Sequence, residues 1–148
     1  MRSKWFKRNL AYGSKAEKKA VEILRPQYQG VRRIADKYKG TFKEYDLIDD
    51  VGNTFEVKVD ATSKKTGNIA IEHKSYGKLS GIASTKAKYW FQFFYCEGWA
   101  YTVCEVEDLR DLIILNNYHS VNGGEDMQSE MYLIPIIDFV EKFGYNII

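Results

Sequence analysis

The stretch Thr54-Phe55-Glu56-Val57-Lys58-Val59-Asp60 alternates without a break. Phe55, Val57 and Val59 form one face, and Glu56, Lys58 and Asp60 form the other. That is the period-two pattern of a strand with one side in a core. Immediately upstream, residues 42–49 read as a partner strand ending in Glu44-Tyr45-Asp46-Leu47-Ile48-Asp49, and Asp50-Val51-Gly52-Asn53 reads as the turn. An antiparallel hairpin then brings Asp46 beside Glu56 and Lys58. This needs a loop of odd length, such as Val51-Gly52-Asn53. A strict four-residue loop would set Asp46 opposite Val57 and turn it to the other face.

Working outward, residues 1–13 form a basic arm, and residues 14–25 predict a helix ended near Pro26. Residues 31–35 predict a short strand before the hairpin, and residues 68–75 a further strand after the turn Lys64-Lys65-Thr66-Gly67. A glycine-containing loop over 76–83 leads to a predicted helix over 84–95. A strand over 99–106, a helix over 107–115, a polar acidic loop over 117–130 and a strand over 131–134 follow. A last helix, 136–143, stops at Gly144. The expected architecture is α/β, with one mixed central sheet flanked by helices. With 148 residues the chain is expected to be a single domain.

The net charge of +2 hides a gradient. Residues 1–40 carry 12 Lys and Arg against 3 Asp and Glu, residues 41–96 carry 8 against 7, and residues 97–148 carry 2 against 10. One end is suited to a polyanion and the other is not. No run is apolar enough for a membrane span, and no apolar leader is present at the N-terminus. The two cysteines, Cys96 and Cys104, match no zinc spacing and read as free thiols of an intracellular, reducing compartment, which points to the cytoplasm.

On a helical wheel Ala16, Ala20, Val21, Ile23 and Leu24 make the apolar arc of the first helix, and Glu17 falls inside it. A lone carboxylate there is costly. One reading is a capping box, Ser14-Lys15-Ala16-Glu17, with Glu17 reaching back to the Ser14 amide. Another is an acid facing a cleft. Asp46 and Glu56 would offer oxygen ligands to Mg²⁺ together with a backbone carbonyl, that of Val57, and Lys58 would orient water or neutralise charge on a phosphate. The plain alternative is a strand face of solvated alternating charges.

A helix bearing Glu17, then Asp46, then Glu56-Val57-Lys58 resembles the PD-(D/E)XK nuclease superfamily, and within it the Holliday-junction-resolvase-like group. The signature proline is absent, since Tyr45 precedes Asp46. The resemblance spans residues 14–106, leaving 107–148 as an acidic extension. It implies a restriction-endonuclease-like αβββαβ core and a Mg²⁺-dependent DNA endonuclease, with Mn²⁺ able to substitute. It further implies Asp46 and Glu56 as metal ligands, Lys58 as the catalytic lysine and Glu17 as a supporting acid. The implied substrate is branched or junction DNA, or a duplex to be nicked. The rival class is a non-catalytic nucleic-acid-binding module that uses the same basic N-terminal face.

A second triplet, Glu72-His73-Lys74, competes with the first. Glu72 would be an extra acid, whereas His73 shares its face with Ile69 and Ile71 and reads as a core or interface residue. Expected nucleic-acid contacts are Arg2, Lys4, Lys7 and Arg8 of the arm, Arg32 and Arg33, Lys74, and Lys86 at the start of the helix over 84–95. The run Tyr89-Trp90-Phe91-Gln92-Phe93-Phe94-Tyr95 is aromatic on every side, which as a helix suggests an interface for a homodimer.

Overall fold

The computed structural model describes residues 13–37, 44–124 and 126–148. The basic arm up to residue 12, with Arg2, Lys4, Lys7 and Arg8, and the first two residues of the expected strand over 42–49 lie outside the described residues.

Helix α1 (Gly13–Leu24) buries Ala16, Ala20, Val21 and Leu24, one stripe at helical spacing. Strands β1 (Arg32–Arg33), β2 (Leu47–Ile48) and β3 (Thr54–Asp60) follow as an antiparallel meander. A single turn, α2 (Ser63–Thr66), leads to β4 (Asn68–Ser75) and β5 (Lys78–Leu79). Then come β6 (Tyr89–Tyr95), β7 (Trp99–Glu105), α3 (Val106–Asn116), β8 (Ser120–Gly123), β9 (Ser129–Pro135), α4 (Ile136–Phe143) and β10 (Asn146–Ile147).

The class is α/β with a mixed sheet, but the strands form two sheets where one was expected. The larger has the order β1-β2-β3-β6-β7-β10, and the smaller β5-β4-β9-β8. In the larger, β3 and β6 are parallel and the other pairs antiparallel. The chain between β3 and β6 departs to form β4 and β5 of the smaller sheet. The acidic segment expected to be a loop supplies β8, which pairs with β9.

The second correction concerns residues 84–95, where the expected helix is absent and β6 stands instead. Trp90 and Phe94 belong to a core shared with the second sheet, α3 and α4, while Phe91 and Phe93 belong to the core under α1. All four are at most 1% exposed. A strand buried on both faces reads as a continuous apolar run and loses its alternation. The five central residues of the aromatic run are therefore interior, with only Tyr89 and Tyr95 half-buried, and the all-round apolar helix expected as a dimer interface is not formed. The helix expected to present a phosphate-binding N-terminus ahead of Lys86 is likewise missing. A 3₁₀ turn, Gly81–Ala83, stands before that segment.

No described helix is long and apolar enough to cross a membrane. Cys96 and Cys104 are both free thiols.

Candidate active site

The β2–β3 hairpin satisfies the odd-loop condition. Leu47 pairs with Phe55 and Ile48 with Thr54, and the Asp49 amide donates to the Asn53 carbonyl at 3.0 Å. Only Asp50, Val51 and Gly52 remain as the loop, one residue earlier than the sequence suggests. Asp49 builds it: its carboxylate accepts from the Val51 and Asn53 amides at 3.1 and 2.7 Å and from Asn53 Nδ2 at 2.8 Å. Burial works against ionised Asp49, yet these donors prevail and hold its pKa low.

In that register Asp46 faces Glu56 across the hairpin. The Asp46 amide donates to the Phe55 carbonyl at 2.9 Å, and its Oδ2 accepts from the Val57 amide at 2.8 Å. Glu56 Oε1 accepts from the Thr85 hydroxyl at 2.9 Å, and Lys58 Nζ lies 3.5 Å from Glu56 Oε2. The Glu56 side chain is 12% exposed and that of Lys58 37%. Asp60, on the same face, serves the chain path: its carboxylate accepts from the Thr62 amide and hydroxyl and from the Ala70 amide.

Glu17 points inward and is held by Arg33, whose Nε donates to Glu17 Oε1 at 3.1 Å. Ser14 lies inside α1, one residue after its start, so the capping-box position is not realised. Arg33 Nη1 also reaches Asp36 Oδ1 at 3.1 Å. Arg33 is thus committed to carboxylates and only 11% exposed, while Arg32 pairs with Asp50 at 3.1 Å.

The three acids feel one another. Burial, then the charge of Asp46, pushes Glu56 up to about 7. Burial raises Asp46 against the Val57 hydrogen bond and the charges of Lys58 and Arg33. Glu17 is raised by burial and by Asp46. Burial and mutual repulsion disfavour the ionised form of these carboxylates, and a hard cation bound between them would offset that cost and draw their pKa values down.

Among the described residues no group of three or more His, Cys, Asp or Glu side chains is gathered tightly enough to hold a metal ion. Mg²⁺ does not require one, because it is commonly bound by one or two carboxylates and completes its shell with water. Asp46, Glu56 and the Val57 carbonyl fit that requirement in donor chemistry.

Thr85 and Arg110 were not apparent from sequence. Thr85, 6% exposed, also accepts from the Ala87 amide at 3.2 Å, while the Lys86 amide donates to the Glu44 carbonyl at 2.9 Å. Arg110 of α3 pins this segment, donating to the carbonyls of Ile82 at 3.0 Å and Thr85 at 3.1 Å. Strands β2 and β3 are thereby tied to the chain entering β6. A hydroxyl in a polar run carries no sequence signal for such a contact.

The competing triplet is elsewhere. Glu72, His73 and Lys74 lie on β4 of the smaller sheet, with a register shift between Glu72 and Lys74. His73 is 9% exposed, stacks on Tyr132 at 4.0 Å and bonds Ser120 Oγ at 2.8 Å; burial lowers its pKa. Glu72 and Lys74 are half-buried, and Lys86 is exposed next to the Glu44 contact.

No protein-family model matches the chain, and no curated protein matches it closely enough to count as a relative.

Proposed function

We propose that the protein is a Mg²⁺-dependent DNA endonuclease with a restriction-endonuclease-like core. The observation that carries this reading is the meeting of Asp46, Glu56 and Lys58 on one side of a hairpin, with Glu17 and Arg33 against Asp46. The helix α1, the β1-β2-β3 meander and the parallel addition of β6 support the fold assignment, while the core departs from the αβββαβ order in having the single turn α2 and strands β4–β5 where that order places its second helix. A branched or junction DNA is the leading substrate, and a nicked duplex the second.

Asp46, Glu56 and the Val57 carbonyl would hold the ion, and Mn²⁺ has the same ligand preferences. Bound there, the ion supplies Lewis acidity toward a phosphoryl oxygen and an acidified water. The chain does the rest. The Val57 amide and the Thr85 hydroxyl fix the orientations of Asp46 and Glu56 before substrate arrives. The Lys58 ammonium, partly exposed, offers hydrogen bonds to the attacking water and to charge developing on the phosphate. Glu17, balanced by Arg33, adds a negative field behind Asp46. In the hydrolysis a water oxygen bonds to phosphorus, the ester P–O bond breaks, and the departing sugar oxygen takes up a proton.

The test is incubation of labelled four-way-junction, duplex and single-stranded DNA with Mg²⁺ or EDTA. Cutting should require the metal and be lost in Glu56→Gln and Lys58→Ala, with folding checked by circular dichroism. Salt-sensitive binding without cutting of any substrate would reject the enzyme in favour of a binding module. Retention of cutting in both variants would reject this site.

A further inference from the structure

Beside the carboxylate cluster, α1 and β1 enclose a groove of about 400 Å³. Its charged lining is Lys18, Glu22, Arg25, Arg32, Arg33 and Asp36. Both acids are already engaged, Asp36 by Arg33 at 3.1 Å and Glu22 by Lys19 at 3.5 Å. Arg32 and Arg33 are themselves in ion pairs. Lys18 and Arg25 are different: both are exposed, and neither forms an ion pair among the described residues. Lys18 lies on α1 and Arg25 follows its last residue, with the Arg25 amide still donating to the Val21 carbonyl at 3.0 Å, so the two positions, seven residues apart, fall on the same side about 10 Å apart at a helical rise of 1.5 Å per residue. Arg33 belongs to both places, since it lines the groove and holds Glu17.

The wider charge pattern gives the groove a direction. Residues 13–37, which build this face, carry seven Lys and Arg against three Asp and Glu, whereas residues 97–148 carry two against ten. A polyanion is drawn to the α1–β1 face and repelled by the side formed from α3, α4 and β8–β9.

We propose that the α1–β1 groove is a docking site for the phosphodiester backbone of DNA, with Lys18 and Arg25 as its phosphate contacts. The inference rests on the nuclease reading and says where the substrate backbone runs relative to the carboxylates: past Arg33, along α1. The contacts are to phosphates, so they position DNA without reading its sequence.

The experiment is fluorescence anisotropy of a short labelled DNA duplex in EDTA, where no cutting occurs, over a range of salt concentrations. Wild type should bind with a steep salt dependence. The double variant Lys18→Gln/Arg25→Gln should bind on the order of tenfold more weakly, with a log K against log salt slope shallower by about 2. Lys142→Gln, on the exposed side of α4, should leave both unchanged. Equal affinity and slope in wild type and double variant would overturn the groove, as would absence of salt-dependent binding in wild type. Cleavage is read separately with Mg²⁺. A wild type that cuts while the double variant binds normally rejects the groove alone, and a groove-dependent binder that never cuts rejects the nuclease alone.

Discussion

Thr85 shows how much of the site depends on groups that carry no charge. Its hydroxyl is the donor to Glu56 Oε1, and the loop bearing it is fastened by Arg110. Thr85→Val keeps the volume and removes the donor, leaving Glu56 oriented only by Lys58. The expected loss in cleavage rate is about 10–100-fold, the range for partners that orient a ligand. DNA affinity in EDTA should stay unchanged and Thr85→Ser should recover most of the rate. A valine variant that cuts at the wild-type rate would show that Thr85 does not position Glu56. Glu56 also sets a pH dependence. Burial and Asp46 raise it from 4.5 to about 7. Between these values the folded protein binds more protons than the unfolded chain, so stability falls as pH rises. Its favourable contribution is complete below the unfolded value and lost as pH climbs through about 7. Glu17 and Asp46 are shifted in the same direction. In EDTA the melting temperature should therefore decline from pH 5 to pH 7.5, and Glu56→Gln should flatten that decline. An equally steep decline in the variant would remove Glu56 as its source.

At the scale of elements, the segment from β4 to β6 joins the two sheets, and Gly81 is its tightest point. Gly81 has φ +50°, and a Cβ there would lie 2.2 Å from the Glu72 carbonyl oxygen, a backbone atom with no flexible end to yield. Gly81→Ala should cost about 1–3 kcal/mol, read as a lower urea midpoint. Because Thr85 follows four residues later, cutting should fall as well. An unchanged midpoint would show that the close approach is relieved at no cost. Strand β3 was legible because its outward charges and inward Phe55 and Val57 alternate, and α1 and α4 because each keeps one apolar stripe and a clear stop. Strand β6 was not, because burial on both faces erases the period that separates strand from helix. The second sheet was equally hidden. Its β4–β9 pairing joins Ile69 to Ile134, and nothing in either segment names its distant partner. Asp46 opposite Glu56 could be foreseen from loop parity, whereas Thr85 against Glu56 is a contact between remote segments.

At the scale of the whole molecule, the larger sheet divides the interior into two cores, and β6 belongs to both. Phe93 packs with Leu47, Phe55 and Val57 beneath α1, and Phe94 packs with Ile69, Ile134 and Phe139 on the other side. Both rings are 0% exposed. The pairing that links them is continuous, with β3 parallel from Phe55 to Asp60 and β7 antiparallel along the full length of β6. If α1 and its core could melt alone, β6 would be left with one face wet, and the β3–β6 pairing that carries Glu56 would lose its support. The two cores are therefore expected to unfold together, in one cooperative transition. Phe93→Ala and Phe94→Ala should each cost about 3–5 kcal/mol, since each leaves a cavity in a different core. In urea, far-ultraviolet and near-ultraviolet circular dichroism should give coincident curves for wild type and for both variants, with the midpoint lowered in either case. Two separated transitions, with Phe93→Ala shifting one and Phe94→Ala the other, would show that the cores are independent and that the carboxylate site can be lost while the second sheet remains folded.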